Sequence, residues 1–474
     1  MIVMDFVDRK AELEALENAY SGSKSAMVTL YGRRRIGKTD LIAHFTRNKE
    51  RSVYYMATKE DSRKQLKMIS SQIGIALGDE ELTRFGAIDW EALFLRISRR
   101  KFKKKLTITI DEFPYIAVSD KAITSIFQKG WDVYLKDSNV MLILCGSSIS
   151  MMHSEILDYT APLYHRSTSI LEIMPLDIHY ALALNAHMNF EERLRLYFIF
   201  GGIPAYYAYT EKCRTIIEAI REIFRIGSIF LNEPSVILSE ETRKEARYID
   251  ILELISGGVN RTNEIASKLG MPSSNLVRYL DMLERIGIIR RTFPIIDIQN
   301  RRSKRGVYEI KDNYIYFWFR HVKRNLGNIS MESAEKVAAE LKDVEGLAFE
   351  NFSAELVRYL SGKRFPRLSK IGRWWGNDPA KPAGGNREEI DIVGFNEDTN
   401  DIFFAECKWS NSKTDIGVYN ELKRKARLVE WRNAVRKEHF AIFSRSGFTR
   451  ALDDAAKDGN VELFSLKEIE KELG

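Results

Sequence analysis

The stretch "LYGRRRIGKT", residues 30–39, decides how the first third of this chain is built. It follows the apolar run "MVTLY" (27–31) and leads into the amphipathic "DLIAHF" (40–45). Gly32, Arg33, Arg34, Arg35, Ile36, Gly37, Lys38 and Thr39 therefore fit G-x-x-x-x-G-K-[ST] in its required setting, between a buried strand and a helix. Two glycines let backbone N–H groups turn inward at a helix amino terminus, where a phosphate is favoured. Lys38 supplies charge to the β and γ oxygens, and Thr39 offers a hydroxyl to Mg2+.

Around this loop, "VYYM" (53–56), "LTITI" (106–110), "VMLILC" (140–145) and "TSILEI" (168–173) read as further buried strands separated by amphipathic stretches. Such alternation predicts a parallel sheet with helices on both faces. "LTITIDEF" ends its strand in Asp111, suited to the Mg2+ shell, and Glu112, suited to polarising an attacking water. Ser147 and Ser148 end the strand of "LILCGSS", where a hydroxyl can sense a γ-phosphate or cap a helix. Arg166 precedes the last strand, as a phosphate-directed arginine or a surface ion pair.

With 474 residues, 45% of them apolar and 29% charged, the chain is long enough for three or four globular units. Cys145, Cys213 and Cys407 are scattered and match neither a zinc nor a disulfide framework, which points to a reducing compartment. No apolar run reaches the roughly 20 residues that span a bilayer, and "MIVMDFVDRK" is too charged for a signal peptide, so a soluble, cytoplasmic protein without membrane contact is expected. The net charge of +7 and pI near 9.0 hint at a polyanionic partner. The basic run "RRKFKKK" (99–105) reads as a solvated helix end.

In order, "DFVDRKAELEAL", "YGRRRIGKT", "ITIDEF", "LCGSS" and "PLYHRS" resemble the archaeal-type ATPase family of the signal-transduction branch of the AAA+ ATPases, over about residues 1–240. The resemblance implies ATP as ligand, the segment Phe6 to Arg9 near the adenosine, and a helical lid after the sheet. Asp8-Arg9-Lys10 departs from the Gly-Arg-Glu frequent in such families. Side chains of Arg33 to Arg35 point away from bound phosphates and are available to a partner domain, a second subunit or nucleic acid. A homo-oligomer or a protein partner fits as well.

Residues 246–312 read as three helices, "RYIDILELIS", "TNEIASKLG" and "SSNLVRYLDMLERIG", followed by a hairpin around "NRRSKR". Leu276, Leu280, Leu283 and Ile286 form one apolar stripe on the third helix. This is a winged helix-turn-helix pattern. Ser274, Asn275, Arg278 and Arg285 face a DNA major groove, and Arg301, Arg302, Lys304 and Arg305 on the wing face phosphates. Asp281 and Glu284 on the same helix oppose DNA, so a packing or regulatory module is the competing reading.

Beyond residue 330 the text gives new helices, a Gly/Pro/Asn-rich loop (372–387) and two strands. "GLAFENFSAELV" is a helix carrying Glu350, "REEIDIVGF" a strand with Asp391, and "DIFFAECKWS" a strand ending in Glu406, Cys407 and Lys408. Alternation puts Glu406 and Lys408 on one side and Cys407 on the other. Carboxylates with a lysine make an oxygen-ligand Mg2+ site beside an ammonium. The arrangement resembles the PD-(D/E)xK nuclease family, which implies Asp391, Glu406 and the helix glutamate Glu350 as metal ligands and Glu406 and Lys408 as catalytic; Ile390 replaces the usual Pro. The aromatic "RWWG" (373–376) suits stacking on an unpaired base or capping a core.

The expectation is a multidomain α/β protein: a P-loop parallel-sheet ATPase core (1–174), a helical lid (175–244), a winged helix-turn-helix (245–330) and an α/β restriction-endonuclease-like domain (331–474). It is read as an ATPase that gates DNA binding or Mg2+-dependent DNA cleavage, making it an ATPase and also a metal-dependent deoxyribonuclease. The alternative is an ATP-switched regulator that binds DNA or a partner and cuts nothing.

Overall fold

The computed structural model describes residues 7–242, 244–297, 305–382 and 384–473. They divide into two compact units. One holds residues 7–176 with 203–208 and 236–242; the other holds 177–202, 209–235 and the described residues from 244 onward. The helical segment expected over 175–244 is thus shared between the two.

The first unit is built on five parallel strands: β1 (Ala26–Tyr31), β2 (Ser52–Met56), β3 (Leu106–Asp111), β4 (Val140–Gly146) and β5 (Ser169–Glu172). Their order is β2-β3-β4-β1-β5. Every residue of β1, β3 and β4 is buried, because helices cover both faces. Alternate residues feed two cores. Met27, Ile108 and Leu142 join a cluster with Ile69, Trp90 and Phe127. Val28, Ile143 and Cys145 pack with Leu16, Leu41 and Phe45. The order sets β1 between β4 and β5, so the exits of β1, β3 and β4 open on one edge of the sheet.

The basic run 99–105 is solvated with two exceptions, Phe102 and Lys105, which are buried. The Lys105 ammonium donates to the carbonyls of Gly22 (2.6 Å) and Lys24 (2.5 Å), satisfying acceptors just beyond the helix Lys10–Ser21. That lysine belongs to the core; the expectation of a wholly solvated run is corrected there.

In the second unit, Leu276, Leu280, Leu283 and Ile286 are buried on the stripe of helix Ser273–Arg285. The helices Glu245–Ser256 and Thr262–Lys268 precede it, and β6 (Ile289–Thr292) pairs antiparallel with β7 (Val307–Ile310). After the helix Lys342–Leu360 come β8 (Lys370–Asn377), β9 (Arg387–Asn396), β10 (Asp401–Lys408), β11 (Lys437–Ser444) and β12 (Glu462–Ser465). Their order is β12-β11-β10-β9-β8, antiparallel from β8 to β10 and parallel from β10 to β12. Parallel pairs need crossovers, supplied by the helices Ile416–Ala426 and Arg450–Lys457.

The C-terminal sheet therefore has five strands where two were expected. β8 starts at Lys370 and runs into the text read as a loop (372–387), since "KIGRWWGN" has no clean alternation and its register shifts between Gly372 and Trp374. β11 is exposed at its first two residues and half-buried at the next two, and β12 is only four residues long.

Asp79 ties the first unit together ahead of β3. Its side chain accepts from the N–H of Leu82 (3.0 Å), capping the helix Glu80–Phe85, and from Arg96 (2.6 and 2.7 Å) and Arg100 (3.1 Å). Hydrogen bonds from Arg96 and from the Leu82 N–H hold its carboxyl down at about 2, against 3.8 ordinarily. A depressed folded-state value contributes stability above the ordinary value that is lost as the pH falls through the folded one. Wild-type thermal stability should accordingly decline between about pH 4 and 2 more steeply than that of Asp79→Ala. At neutral pH the variant should be destabilised by about 1–2 kcal/mol, read from denaturant melts.

Candidate nucleotide site and C-terminal acidic site

The loop after β1 is shaped by its glycines. Gly32 has φ 154°, and a Cβ there would stand 2.4 Å from the Ile173 carbonyl oxygen; Gly37 has φ 91°. Arg35 also adopts positive φ, at 68°. Lys38 opens the helix Lys38–Thr46 and folds its ammonium back on the carbonyls of Gly32 (2.8 Å) and Arg33 (3.0 Å). Burial lowers its pKa, and the nearby Cys145, Glu112 and Asp111 oppose that shift. A buried ammonium held only by carbonyl dipoles is a receptor for anionic oxygen.

Asp111 ends β3 beside it. One carboxylate oxygen accepts from Thr39 Oγ1 (3.2 Å) and Tyr54 Oη (2.5 Å), and the other from the Glu112 N–H (3.0 Å). Hydroxyl and carboxylate together are hard oxygen donors of the kind Mg2+ takes, so Thr39 and Asp111 fit that ion. Glu112 adopts a left-handed backbone, φ 53°, and its side chain accepts from the Ser147 N–H at 3.0 Å. The exit of β4 thereby orients the carboxylate expected to face water.

Ser147 takes part through its backbone, whereas Ser148 caps the helix Ile149–Met152 through the Met151 N–H. Glu241 covers the same turn, accepting from the N–H groups of Ile149 (2.8 Å) and Ser150 (2.9 Å). Arg166 is ion-paired with Asp132 at 2.9 Å and donates to the Pro162 carbonyl; a phosphate-directed role requires breaking that pair. The loop arginines meet their own unit: Arg33 donates to Tyr206 Oη (3.4 Å), and Arg34 is ion-paired with Glu240. Buried Arg9 donates to the carbonyls of Ile36 (3.0 Å) and Met174 (2.7 Å), bracing the loop against the segment after β5. Phe6 lies outside the described residues.

Tyr54, Arg9, Glu240 and Glu241 escaped the sequence reading as site residues with these roles. Only the β2–β3 pairing brings Tyr54 to Asp111. The one signal for it was a polar-tipped residue breaking an otherwise buried strand.

In the C-terminal sheet Asp391 of β9 accepts from the Cys407 N–H of β10 at 2.8 Å. Glu406 points to the same side as Lys408: one carboxylate oxygen accepts from Lys408 Nζ (3.1 Å) and Lys425 Nζ (3.2 Å). Its other oxygen, Oε2, is buried and has no partner among the described residues. Burial, then the charge of Glu406, pushes the Asp391 carboxyl up to about 6. Buried Glu406, with its orphaned oxygen, and partly buried Asp391 are oxygen donors of the kind a divalent ion that keeps several waters takes, and Lys408 places an ammonium beside them.

Glu350, the third expected ligand, is not gathered with them. It is ion-paired with Arg373 of β8, whose guanidinium also reaches Glu309 of β7 at 3.3 Å. Among the described residues no three His, Cys, Asp or Glu side chains form a metal-holding group. A cationic side chain satisfies Glu350, which removes the electrostatic demand for a metal there.

On the helix-turn-helix, Ser274, Asn275, Arg278 and Arg285 are exposed, and Asp281 shares that face. Glu284 is partly occupied, accepting from the Arg291 N–H. Arg301, Arg302 and Lys304 lie outside the described residues. Arg305 is ion-paired with Asp297 (3.2 Å) and donates to the Trp375 carbonyl. Trp374 and Trp375 are 2% and 7% exposed, and Trp374 packs with Ile390, Val393 and Phe395; the core-capping role of "RWWG" is the observed one.

Family comparison matches residues 6–209 to an ATPase domain predominantly from Archaea, 246–292 to an IclR helix-turn-helix domain, and 318–420 to archaeal and bacterial proteins of unknown function. The uncharacterized protein MJECL04 of Methanocaldococcus jannaschii is 34% identical over 470 residues, covering 98% of this chain and all of that protein. An uncharacterized ATP-binding protein of the same organism, MJ0423, is 55% identical over 49 residues, 10% of this chain and 81% of its own length. The Walker-type ATPase PABY2304 of Pyrococcus abyssi shares the fold, with TM-score 0.51 and 20% identity over 67% of this chain and 96% of its own. Among the described residues no helix is long and apolar enough to cross a membrane.

The contact of Gly32 with Ile173 gives a direct test. Gly32→Ala should lower the melting temperature, because the Cβ must displace the backbone of core residue Ile173, and reduce binding of a fluorescent ATP analogue by about tenfold or more at a temperature where the variant is folded. Wild-type affinity in a folded Gly32→Ala protein would remove the loop from the site.

Proposed function

Because the chain belongs to the archaeal-type ATPase family, we propose that it binds ATP along residues 32–39, hydrolyses it, and uses the nucleotide cycle to control DNA contact by its helix-turn-helix and metal-dependent DNA cleavage by Asp391, Glu406 and Lys408. The observation that carries the reading is the hydrogen bond from Thr39 to Asp111, which links the loop after β1 to the end of β3. In this scheme Lys38 and the loop N–H groups bind the phosphates, and Thr39 and Asp111 hold Mg2+, which supplies charge neutralisation at the β and γ oxygens. Glu112, oriented by the Ser147 N–H, takes the proton of the attacking water. Arg33 and Arg34, through Tyr206 and Glu240, report the nucleotide state to residues 203–208 and 236–242 of the same unit, as does the backbone of Arg35, while Ser147 senses it through Glu112. We retain the four-part division at 174, 244 and 330 as the functional organisation.

The acidic pair in the C-terminal sheet supports cleavage by its chemistry: Asp391 and Glu406 hold a divalent ion, and Lys408 steadies the scissile phosphate. The pairing of Glu350 with Arg373 favours a second reading, an ATP-switched DNA-binding regulator that does not cut.

Lys38→Ala should weaken ATP binding by about tenfold or more, whereas Glu112→Gln should keep binding and lose about a hundredfold in turnover. Equal hydrolysis rates in wild type and Glu112→Gln would sink the assignment of the base. Arg278→Ala should cost about 1 kcal/mol of duplex DNA affinity in an electrophoretic shift titration; unchanged affinity removes the third helix from the groove.

For cleavage, plasmid and single-stranded DNA are incubated with Mg2+ or Mn2+, with and without ATP. Asp391→Ala and Glu406→Ala should abolish nicking and leave ATP hydrolysis intact. Absence of cleavage by the wild-type chain on both DNA forms selects the regulator.

A further inference from the structure

A cleft of about 490 Å3 lies beside the bulged strand β8, lined by Arg261 and Arg305 of the helix-turn-helix module and by Trp374, Trp375, Arg387 and Glu430 of the C-terminal domain. Its volume is in the range of small-ligand sites, about 300–1,000 Å3. The lining chemistry is one-sided. Arginine and tryptophan side chains donate hydrogen bonds and accept none, so the cleft is donor-rich: three guanidiniums stand against one carboxylate, Glu430, and the Asn377 amide.

Two of those donors are in an unusual state. The indole Nε1 atoms of Trp374 and Trp375 are both buried and lack a partner among the described residues. Trp374 faces the core with Ile390 and Val393, and its neighbour in the strand faces the other way, so Trp375 is the orphaned donor that a ligand acceptor would satisfy. Arg261 is exposed and forms no ion pair among the described residues, and Arg387 is paired only with exposed Glu389. Their charge is therefore available to an anion.

A second cavity of about 160 Å3 shares Trp374, Trp375 and Arg387 and is also lined by Arg373, Glu309 and Asp391. The cationic cleft and the neighbourhood of the acidic pair thus share the same two tryptophans and one arginine.

From this geometry we infer that the cleft between the helix-turn-helix module and β8 is a binding site for a nucleotide unit, its phosphate on Arg261 and Arg387 and a base acceptor on the Trp375 indole N–H. The ligand must be acceptor-rich, anionic and about the size of one nucleotide, and a phosphorylated nucleoside has all three properties. The same chemistry is offered by a free mononucleotide and by an unpaired nucleotide of a nucleic-acid strand. The shared lining with the Asp391 cavity favours the strand, since Arg387 and Asp391 lie on one face of β9, four residues (~13 Å) apart, a span that an extended backbone follows. This site is separate from the ATP loop and from the exposed face of helix Ser273–Arg285, and it stands whether or not the acidic pair cuts.

The test uses the full chain in a Lys38→Ala background, which suppresses uptake of free nucleotide at the ATP loop. Fluorescence anisotropy follows a labelled single-stranded oligonucleotide, and tryptophan emission follows dAMP. The combined Arg261→Ala and Arg387→Ala changes should weaken oligonucleotide binding by about tenfold or more and reduce its log–log salt slope by about 0.7, the contribution of one phosphate contact on a single strand. Trp375→Phe, which keeps the packing ring and removes the donor, should weaken binding several-fold at an unchanged melting temperature. Oligonucleotide binding that dAMP cannot displace assigns the cleft to a strand; saturable dAMP binding lost in the arginine variant assigns it to a free nucleotide.

Unchanged affinity for both probes in the folded arginine variant overturns the inference, as does absence of binding by the parent chain. Duplex binding by Arg278→Ala is measured in parallel. If that variant loses duplex DNA while the arginine variant keeps the single strand, the cleft assignment fails and the helix-turn-helix reading survives.

Discussion

The carboxylate of Asp111 is the constraint on which the nucleotide site depends. It is 3% exposed and satisfied from three directions, by a helix hydroxyl, a strand phenol and a backbone N–H. Hydrogen bonds to a charged group are worth about 1.5–3 kcal/mol each, and stranding a buried charge by deleting a partner costs about 3–5 kcal/mol. The network therefore fixes Thr39 relative to Asp111 before any ligand arrives. A chain that binds a phosphate–metal complex at this point begins with its donors already arranged, and binding spends less on ordering them.

The C-terminal domain uses a different balance. Arg373 stands between Glu309 of β7 and Glu350 of the long helix, and its charge also offsets that of Asp391. Glu309 in turn is held by Arg290 (3.0 Å) and Thr292 (3.1 Å). Because desolvated charges are costly unless paired, this chain of contacts couples the hairpin of the helix-turn-helix module to the first strand of the C-terminal sheet. It also explains why a glutamate at the position implied by the nuclease-like pattern does not by itself complete a metal site. The same acid has a cationic partner from a strand that the sequence hides.

Legibility followed local physics. The parallel core was readable because its strands are buried on both faces and so appear as continuous apolar runs, and the loop of 32–39 was readable because its glycines and lysine act within eight residues of one another. The stripe Leu276, Leu280, Leu283 and Ile286 was readable for the same reason, one helix face repeating at its own period. β8 was missed because a register shift breaks its alternation, and Lys105 because a charged side chain in a basic run gives no sign that three carbonyls surround it.

The sequence by itself determined which local units exist: a phosphate-type loop between strand and helix, an acidic strand end, a three-helix module with a hairpin, and the E-x-K strand with Glu406 and Lys408 on one side. Each of these is set by residues close in the chain. Tertiary structure alone decided who meets whom. Sheet order brought Tyr54 to Asp111, the return of 203–208 and 236–242 gave Arg33 and Arg34 their partners, and the antiparallel pairing of β9 with β10 joined Asp391 to Cys407 while β8 delivered Arg373 to Glu350. Pairings across long stretches of chain are chosen by the burial and charge compensation of the whole fold, which no local pattern encodes.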